Sequence, residues 1–113
     1  MDQKSDDEEW HIIHIPRMGT AWIGWGKAKN KQVMLKHEVS FEAMLLGLLE
    51  NGIADIREHP NTTRYPNQHI LCVEISGYIH RCPCLYSRSA EDEPCFFLKT
   101  IYPNGKDQRA LRE

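Results

Sequence analysis

Lysine, arginine, histidine and tyrosine side chains recur at three places in this 113-residue chain where a turn or loop is expected. Such side chains can cleave RNA without a metal ion. The 2′-hydroxyl of RNA is itself the nucleophile, so the protein need supply only a general base, a general acid and cations around the phosphorane. The candidates are Lys36 and His37; His59, Arg64 and Tyr65; and Lys99, Tyr102, Lys106 and Arg109. Because any small domain holds some of each type, composition alone does not single out a nuclease.

Charge is strongly segregated along the chain, although its net value is only −2. Residues 1–9 are acidic, residues 10–37 contain no Asp or Glu but five Lys or Arg, and the remainder is mildly acidic. A basic block without acids attracts phosphate or an acidic partner; the alternative is a solvated lysine face on a helix. The RNA-binding candidates in this block are Lys27, Lys31, Lys36 and His37.

Cysteines and histidines invite a zinc interpretation, which their spacing does not favour. The four cysteines are Cys72, Cys82, Cys84 and Cys95. Structural zinc sites use C-x₂₋₄-C pairs in loops, whereas C-x-C in a strand only places two thiols on one face. If Ser76-Gly77 is a hairpin turn, Cys72 opposes Arg81 and faces away from Cys82 and Cys84. We therefore expect reduced, buried cysteines, no metal and no cofactor.

Four other histidines lack any surrounding motif, and we interpret them as structural. They are His11, His14, His69 and His80. The chain also lacks a glycine-rich phosphate loop and a Ser/His/Asp constellation.

The strongest structural signal is the segment SFEAMLLGLLENG, residues 40–52. Large apolar residues recur at i, i+3, i+4, i+7 and i+8, namely Phe41, Met44, Leu45, Leu48 and Leu49. Ser40 is a preferred N-cap, and Asn51-Gly52 supplies a left-handed stop. The spacing predicts an α-helix whose apolar face packs on a sheet.

The other predicted elements position the candidate residues. A second helix, Lys27–His37, with Ala28, Gln32 and Leu35 on one side, places Lys36 and His37 at a helix–helix corner. The predicted strands are Trp10–Ile15, Ala21–Trp25, Ile53–Arg57, His69–Ile75, Tyr78–Tyr86 and Cys95–Tyr102. The segment 59–68 is a loop because it holds two prolines and two asparagines. This order predicts an α+β fold, a helical hairpin packed on an antiparallel β-meander.

The length of the chain predicts one domain. We expect residues 1–20 to be an acidic N-terminal extension, partly flexible, and residues 21–113 to be a single α+β domain. The first ten residues lack the basic and apolar regions of a signal peptide, and no apolar run approaches the ~20 residues needed to cross a bilayer. We expect a cytoplasmic protein without a membrane partner.

The run WGKAKNKQVMLKHEVSFEAM, residues 25–44, resembles the opening of BrnT-type toxins, in which a W-x-x-x-K-N…K-H-G-[IV]-S-F pattern is found. Three further segments resemble small bacterial proteins of the same toxin class: HPNTTRYPNQ, ILCVEISGYIHRCP and FFLKTIYP. The resemblance covers about Ala21 to Lys106, with its motifs in the same order.

This resemblance implies a RelE-like fold, metal-independent cleavage of RNA, and neutralisation by an antitoxin protein. It also implies a homodimer or a hetero-oligomer with the antitoxin. Carried over residue by residue, it marks Arg64, Tyr65 and Lys99 for chemistry or phosphate contact, and Ser40 and Phe41 for architecture.

Two departures from the pattern bear on function. Glu38 stands where the family usually has glycine, which predicts a different turn. Gly105 stands where the family has an arginine; if that arginine holds the phosphate, a contact of about 1.5–3 kcal/mol is lost, and Arg109 is the candidate replacement. The sequence thus leaves two hypotheses. One is a toxin-like endoribonuclease; the other is a non-catalytic protein on the same scaffold that binds a protein or nucleic acid.

Overall fold

The computed structural model describes residues 7–58 and 60–104. The elements are β1 (Glu8–Ile15), β2 (Gly19–Gly26), α1 (Lys27–His37), α2 (Phe41–Asn51), β3 (Asp55–Glu58), β4 (Gln68–Ile75), β5 (Tyr78–Arg88), β6 (Pro94–Leu98) and β7 (Tyr102–Pro103). The predicted site residues His59, Lys106 and Arg109 lie outside the described residues. Among those described, no helix has the length and apolarity needed to cross a membrane.

The strands form one mixed sheet in the order β1-β2-β6-β5-β4-β3, and β7 pairs with β5. β2 and β6 are parallel; the other paired strands are antiparallel. The predicted α+β class is therefore confirmed. Strands β6, β5, β4 and β3 lie side by side and are antiparallel. The parallel β2–β6 pair joins them to the N-terminal hairpin, which consists of β1 and β2. That hairpin includes Glu8 and Glu9, the last residues of the acidic segment.

The hairpin between β4 and β5 turns at Ser76-Gly77, as the sequence predicts. Both residues have positive φ, 52° and 85°, which is typical of the two-residue turns that match the twist of the strands. Cys72 opposes Arg81, and the predicted register is confirmed. Cys72 therefore faces away from Cys82 and Cys84.

The last predicted strand, Cys95–Tyr102, is divided into β6 and β7. The division follows from Pro83. The Lys99 N–H donates to the Pro83 carbonyl at 2.8 Å, but proline has no N–H to return the second bond of that pair. The antiparallel ladder therefore stops after Leu98, and pairing resumes at Tyr102.

Helix α2 has the predicted ends and most of the predicted core face. The Ser40 hydroxyl accepts the Ala43 N–H at 3.0 Å, and Gly52 ends the helix with φ 73°. Phe41, Met44 and Leu48 are fully buried. Leu49, predicted to be buried, is 42% exposed, because the helix approaches the sheet at Gly47. A Cβ at Gly47 would lie 2.7 Å from the Glu74 carbonyl oxygen.

Helix α1 has the predicted bounds, but the side that carries Ala28, Gln32 and Leu35 faces solvent. Leu35 is 87% exposed. The buried residues of α1 are Asn30 and Val33. Asn30 is buried because its side chain bonds to the start of α2, so polar capping rather than apolar spacing orients this helix.

The main core lies between the helices and one face of the sheet, and includes Trp25, Phe41, Leu71 and Leu98. Side chains alternate between the two faces of a strand. Trp10, Phe97 and Leu85 therefore lie on the opposite face, which we call the open face; no described helix covers it.

Candidate functional site

The corner between α1 and α2 is fixed by Asn30. Its side-chain oxygen accepts the Phe41 N–H, and its amide nitrogen donates to the Glu42 carboxylate, each at 2.8 Å. The first N–H groups of a helix have no partner within the helix. Asn30 satisfies one of them from α1, while Ser40 satisfies another from the turn. Asn30 follows Lys29 in the run of residues 25–44, and sequence reasoning gave it no separate role.

The turn itself is made by Glu38 in a left-handed conformation, with φ 58° and ψ 34°. Its N–H donates to the Met34 carbonyl at 3.0 Å, which closes α1. Glycine adopts this conformation most readily, and other residues pay about 1–2 kcal/mol for it. The turn at this position is thus made by a glutamate in the conformation that glycine favours.

A cavity of about 440 Å³ opens at this corner, between the helices and the β4–β5 turn. It is lined by Met34, Glu38, Val39, Ser40, Ala43, Ile75, Ser76 and His80. This volume lies within the usual range of small-molecule sites. Most of the lining is apolar; the Glu38 carboxylate and the His80 imidazole are the groups in it that can carry charge.

His80 is buried, with 8% of its surface exposed. Its Nδ1 lies 2.9 Å from the Tyr78 carbonyl oxygen. A carbonyl can only accept, so Nδ1 carries the proton, and Nε2 is the acceptor of the neutral ring. Burial lowers the pKa of His80, and the hydrogen bond to Tyr78 opposes that effect less strongly. His80 is therefore neutral and able to accept a proton near pH 7.

His37 lies next to Glu38 at the end of α1, with its ring 6.2 Å from that of Tyr102. Tyr102 opposes Arg81 in the β5–β7 pair, and Pro103 opposes His80. The structure thus brings the predicted residues His37 and Tyr102 together. Tyr102 opposes Arg81 rather than His80, so its side chain and that of His80 start from opposite faces of the sheet. Sequence reasoning treated His80 as structural, because its place on the wall of the cavity depends on how α1 and α2 pack beside the β4–β5 turn, which no local pattern reveals.

The remaining predicted residues lie elsewhere. Lys27, Lys31 and Lys36 are exposed along α1, and about 15 Å of helix separates Lys27 from His37 at 1.5 Å per residue. Arg64 lies 5.5 Å from the ring centre of Tyr65 in the loop before β4.

That loop and the corner cavity lie at opposite ends of β4. Gln68 begins β4 and Ile75, which lines the cavity, ends it. At about 3.3 Å per residue, the strand separates them by about 23 Å. Lys99 lies beyond the end of β6, with its Nζ 5.8 Å from the Phe97 ring centre. Arg64, Lys99 and His37 therefore contact three different aromatic partners.

The cysteines are placed as inert core residues. Cys72, Cys82 and Cys84 are buried, and none of the four thiols is part of a disulfide. Burial raises the pKa of Cys82, and raises that of Cys84 to about 12, so both thiols stay protonated and are poor nucleophiles. Within residues 7–58 and 60–104, no three His, Cys, Asp or Glu side chains gather as a metal site requires.

Comparison of the chain with protein-family models, with curated proteins and with solved structures finds no match in any of the three. Its class therefore rests on its own geometry: residues 7–58 and 60–104 form a mixed α+β structure with helices α1 and α2 on one face of a seven-stranded sheet.

Proposed function

We propose that this protein is a metal-independent endoribonuclease that cleaves RNA at the helix corner. One observation carries the proposal: His80 lines an open cavity at the corner where a lysine-bearing helix ends in His37, whose ring lies 6.2 Å from that of Tyr102. Two imidazoles and a phenol are sufficient for general acid–base cleavage of RNA. Lysines along α1 supply cations for the phosphate backbone.

The chemistry starts at His80. Its Nε2 accepts the proton of the 2′-hydroxyl, and the 2′-oxygen attacks phosphorus. The bond from phosphorus to the 5′-oxygen breaks, and His37 or Tyr102 supplies a proton to the departing oxygen. The products are a 2′,3′-cyclic phosphate and a 5′-hydroxyl. Lys36, one residue before His37, stabilises the charge that develops on the phosphate oxygens.

The wider proposal is a bacterial cytoplasmic toxin with a RelE-like arrangement, neutralised by an antitoxin protein. Its sequence support is the resemblance to BrnT-type toxins. If the antitoxin docks on the helices, we expect it to contact the exposed Leu35 of α1 and Leu46 of α2.

A cleavage assay in EDTA tests the nuclease. We expect the wild-type chain to cut a single-stranded RNA, and His80→Gln and His37→Gln each to lose about 10²–10⁴-fold in rate. The matched control is His14→Gln, at an exposed position of β1, which should cut like the wild type. Intact RNA with the wild-type protein, or equal rates for all three variants, would contradict the proposal.

The second candidate is a non-catalytic nucleic-acid-binding protein. The Glu38 carboxylate at the cavity favours it, because a fixed negative charge repels the phosphate that a nuclease must hold there. Gly105 also favours the non-catalytic candidate, because it stands where BrnT-type toxins have an arginine that could hold the phosphate. The same assay separates the two: binding of RNA without any cleavage identifies the binder.

A further inference from the structure

An aromatic pair lies on the open face, away from the helix corner. Trp10, Gly24, Phe97 and Leu85 oppose one another in a single row across β1, β2, β6 and β5. The Trp10 and Phe97 rings are 5.8 Å apart, and Trp10 is 40% exposed. A Cβ at Gly24 would overlap the Trp10 ring, so the indole packs directly against backbone. The row therefore places an indole beside a phenyl ring, and part of the indole surface is open to solvent.

Two lysines accompany the aromatic pair. Lys29, from the first turn of α1, and Lys99 line a cleft of about 230 Å³ together with Phe97. The ammonium group of Lys99 lies 5.8 Å from the Phe97 ring centre. The indole of Trp10 is oriented by a hydrogen bond of its own: its Nε1–H donates to the Glu8 carboxylate at 3.2 Å. The cleft itself is lined by two cations and no acid.

We propose that this aromatic–lysine surface, formed by Trp10, Phe97, Lys29 and Lys99, binds single-stranded nucleic acid. Bases stack on the two rings, and the adjoining phosphates contact the two lysines. Stacking of this kind tolerates any sequence because every base has a π-face. A polyanion also matches the charge of the cleft, whereas an apolar peptide would leave both ammonium groups without an acceptor.

The surface also bears on the proposed function, on which this part of the inference rests. Lys29 and His37 lie on the same helix, eight residues or about 12 Å apart. A few nucleotides of one strand are enough to span that distance. The substrate of the nuclease would then be single-stranded RNA, held by its bases at one end of α1 and cut at the other.

The binding test uses a fluorescein-labelled 2′-deoxy 12-mer, which the proposed chemistry cannot cleave, so its result is independent of nuclease activity. We expect fluorescence anisotropy to show binding by the wild type, weakened roughly 5- to 100-fold in Trp10→Leu and in Phe97→Leu. The matched control is Tyr78→Leu, an exposed aromatic at the β4–β5 turn, which should bind like the wild type. The same 12-mer in a duplex should bind more weakly, because its base faces are hidden.

Two further variants keep the test valid if the apolar substitutions disturb the fold. Lys99→Gln, at an exposed position, should lower the slope of log K against log salt by about one. Gly24→Ala should weaken binding by displacing the indole without removing it. No binding by the wild type, equal affinity for the duplex, or an unchanged affinity in Phe97→Leu would overturn the proposal. So would a protein dimer that Trp10→Leu dissociates and that does not bind the 12-mer, since that assigns the surface to a second copy.

Discussion

The side-chain oxygen of Asn30 accepts the backbone N–H of Phe41 at 2.8 Å, so that a residue of α1 caps the start of α2. The amide of the same side chain donates to Glu42. These two bonds fix the angle at which the helices meet, and with it the position of His37 relative to the cavity. A buried polar residue, rather than an apolar contact, therefore sets the geometry of the proposed site.

Asn30→Ala should lower the free energy of unfolding by about 1–3 kcal/mol. It leaves the buried Phe41 N–H without its acceptor, which costs about that much, whereas water can replace the partner of the exposed Glu42 carboxylate. Urea unfolding measures the change. Gln32→Ala, an exposed substitution on the same helix, is the control and should change stability by less than about 0.5 kcal/mol. Equal stabilities of the two variants would contradict the capping role.

Glu38→Gly should raise the free energy of unfolding by about 1 kcal/mol. Glu38 has φ 58°, a conformation that costs a residue with a Cβ about 1–2 kcal/mol and costs glycine much less. Part of the gain is offset because glycine is more flexible in the unfolded chain. Glu38→Ala, which keeps the Cβ, should give no such gain. Thermal unfolding of the two variants side by side checks the difference.

Gly47→Ala should destabilise the protein, although alanine is the better helix former by about 1 kcal/mol. A Cβ at position 47 would lie 2.7 Å from the Glu74 carbonyl oxygen, and α2 can only relieve that contact by moving away from β4. We expect a net loss of about 1–3 kcal/mol in urea unfolding. Leu46→Ala, at the exposed neighbouring position, should have little effect. A stabilised Gly47→Ala variant would show that the helix is not packed as described.

The stability of the protein should fall as the pH drops below about 6.5, the ordinary pKa of histidine, because the pKa of His80 is lowered in the folded state. Below that pH the unfolded chain binds a proton at His80 that the folded chain does not, so protons favour unfolding. The loss continues until the pH reaches the folded pKa and is absent above about pH 7.5.

His80→Gln should reduce this pH dependence, which urea midpoints measured between pH 5 and 8 can follow. His14→Gln, at an exposed site of β1, is the control and should keep the wild-type slope. If the His80→Gln slope equals the wild-type slope between pH 5 and 6.5, the histidine is not buried as described.

Local patterns in the sequence were sufficient for the helices and for the β4–β5 hairpin. Ser40, Gly52 and the Ser76-Gly77 pair each act through backbone geometry within a few residues, so their effect can be read from the chain. The orientation of α1 could not be read in this way, since Leu35 looks like a core residue and Asn30 does not. The burial of Asn30 depends on α2, a partner eleven residues away.

The candidate site was only partly accessible to the same reasoning. His37 was predicted because it ends a helix at a corner, and Tyr102 was named among the chemically suitable side chains at the end of the last predicted strand. His80 was interpreted as structural, because its place on the wall of the cavity depends on how α1 and α2 pack beside the β4–β5 turn. The aromatic pair of Trp10 and Phe97 was missed for the same reason: only the parallel pairing of β2 with β6 brings β1 and β6 into one row.

The ends of the RNA fragments test the central claim most directly. After incubation of a single-stranded RNA with the purified protein in EDTA, mass spectrometry should find 2′,3′-cyclic phosphates on the upstream fragments and 5′-hydroxyls on the downstream fragments. Both products should be absent with His80→Gln and retained with His14→Gln. Fragments that carry 5′-phosphates, or RNA that stays intact with the wild-type protein, would contradict cleavage by the 2′-hydroxyl at the helix corner.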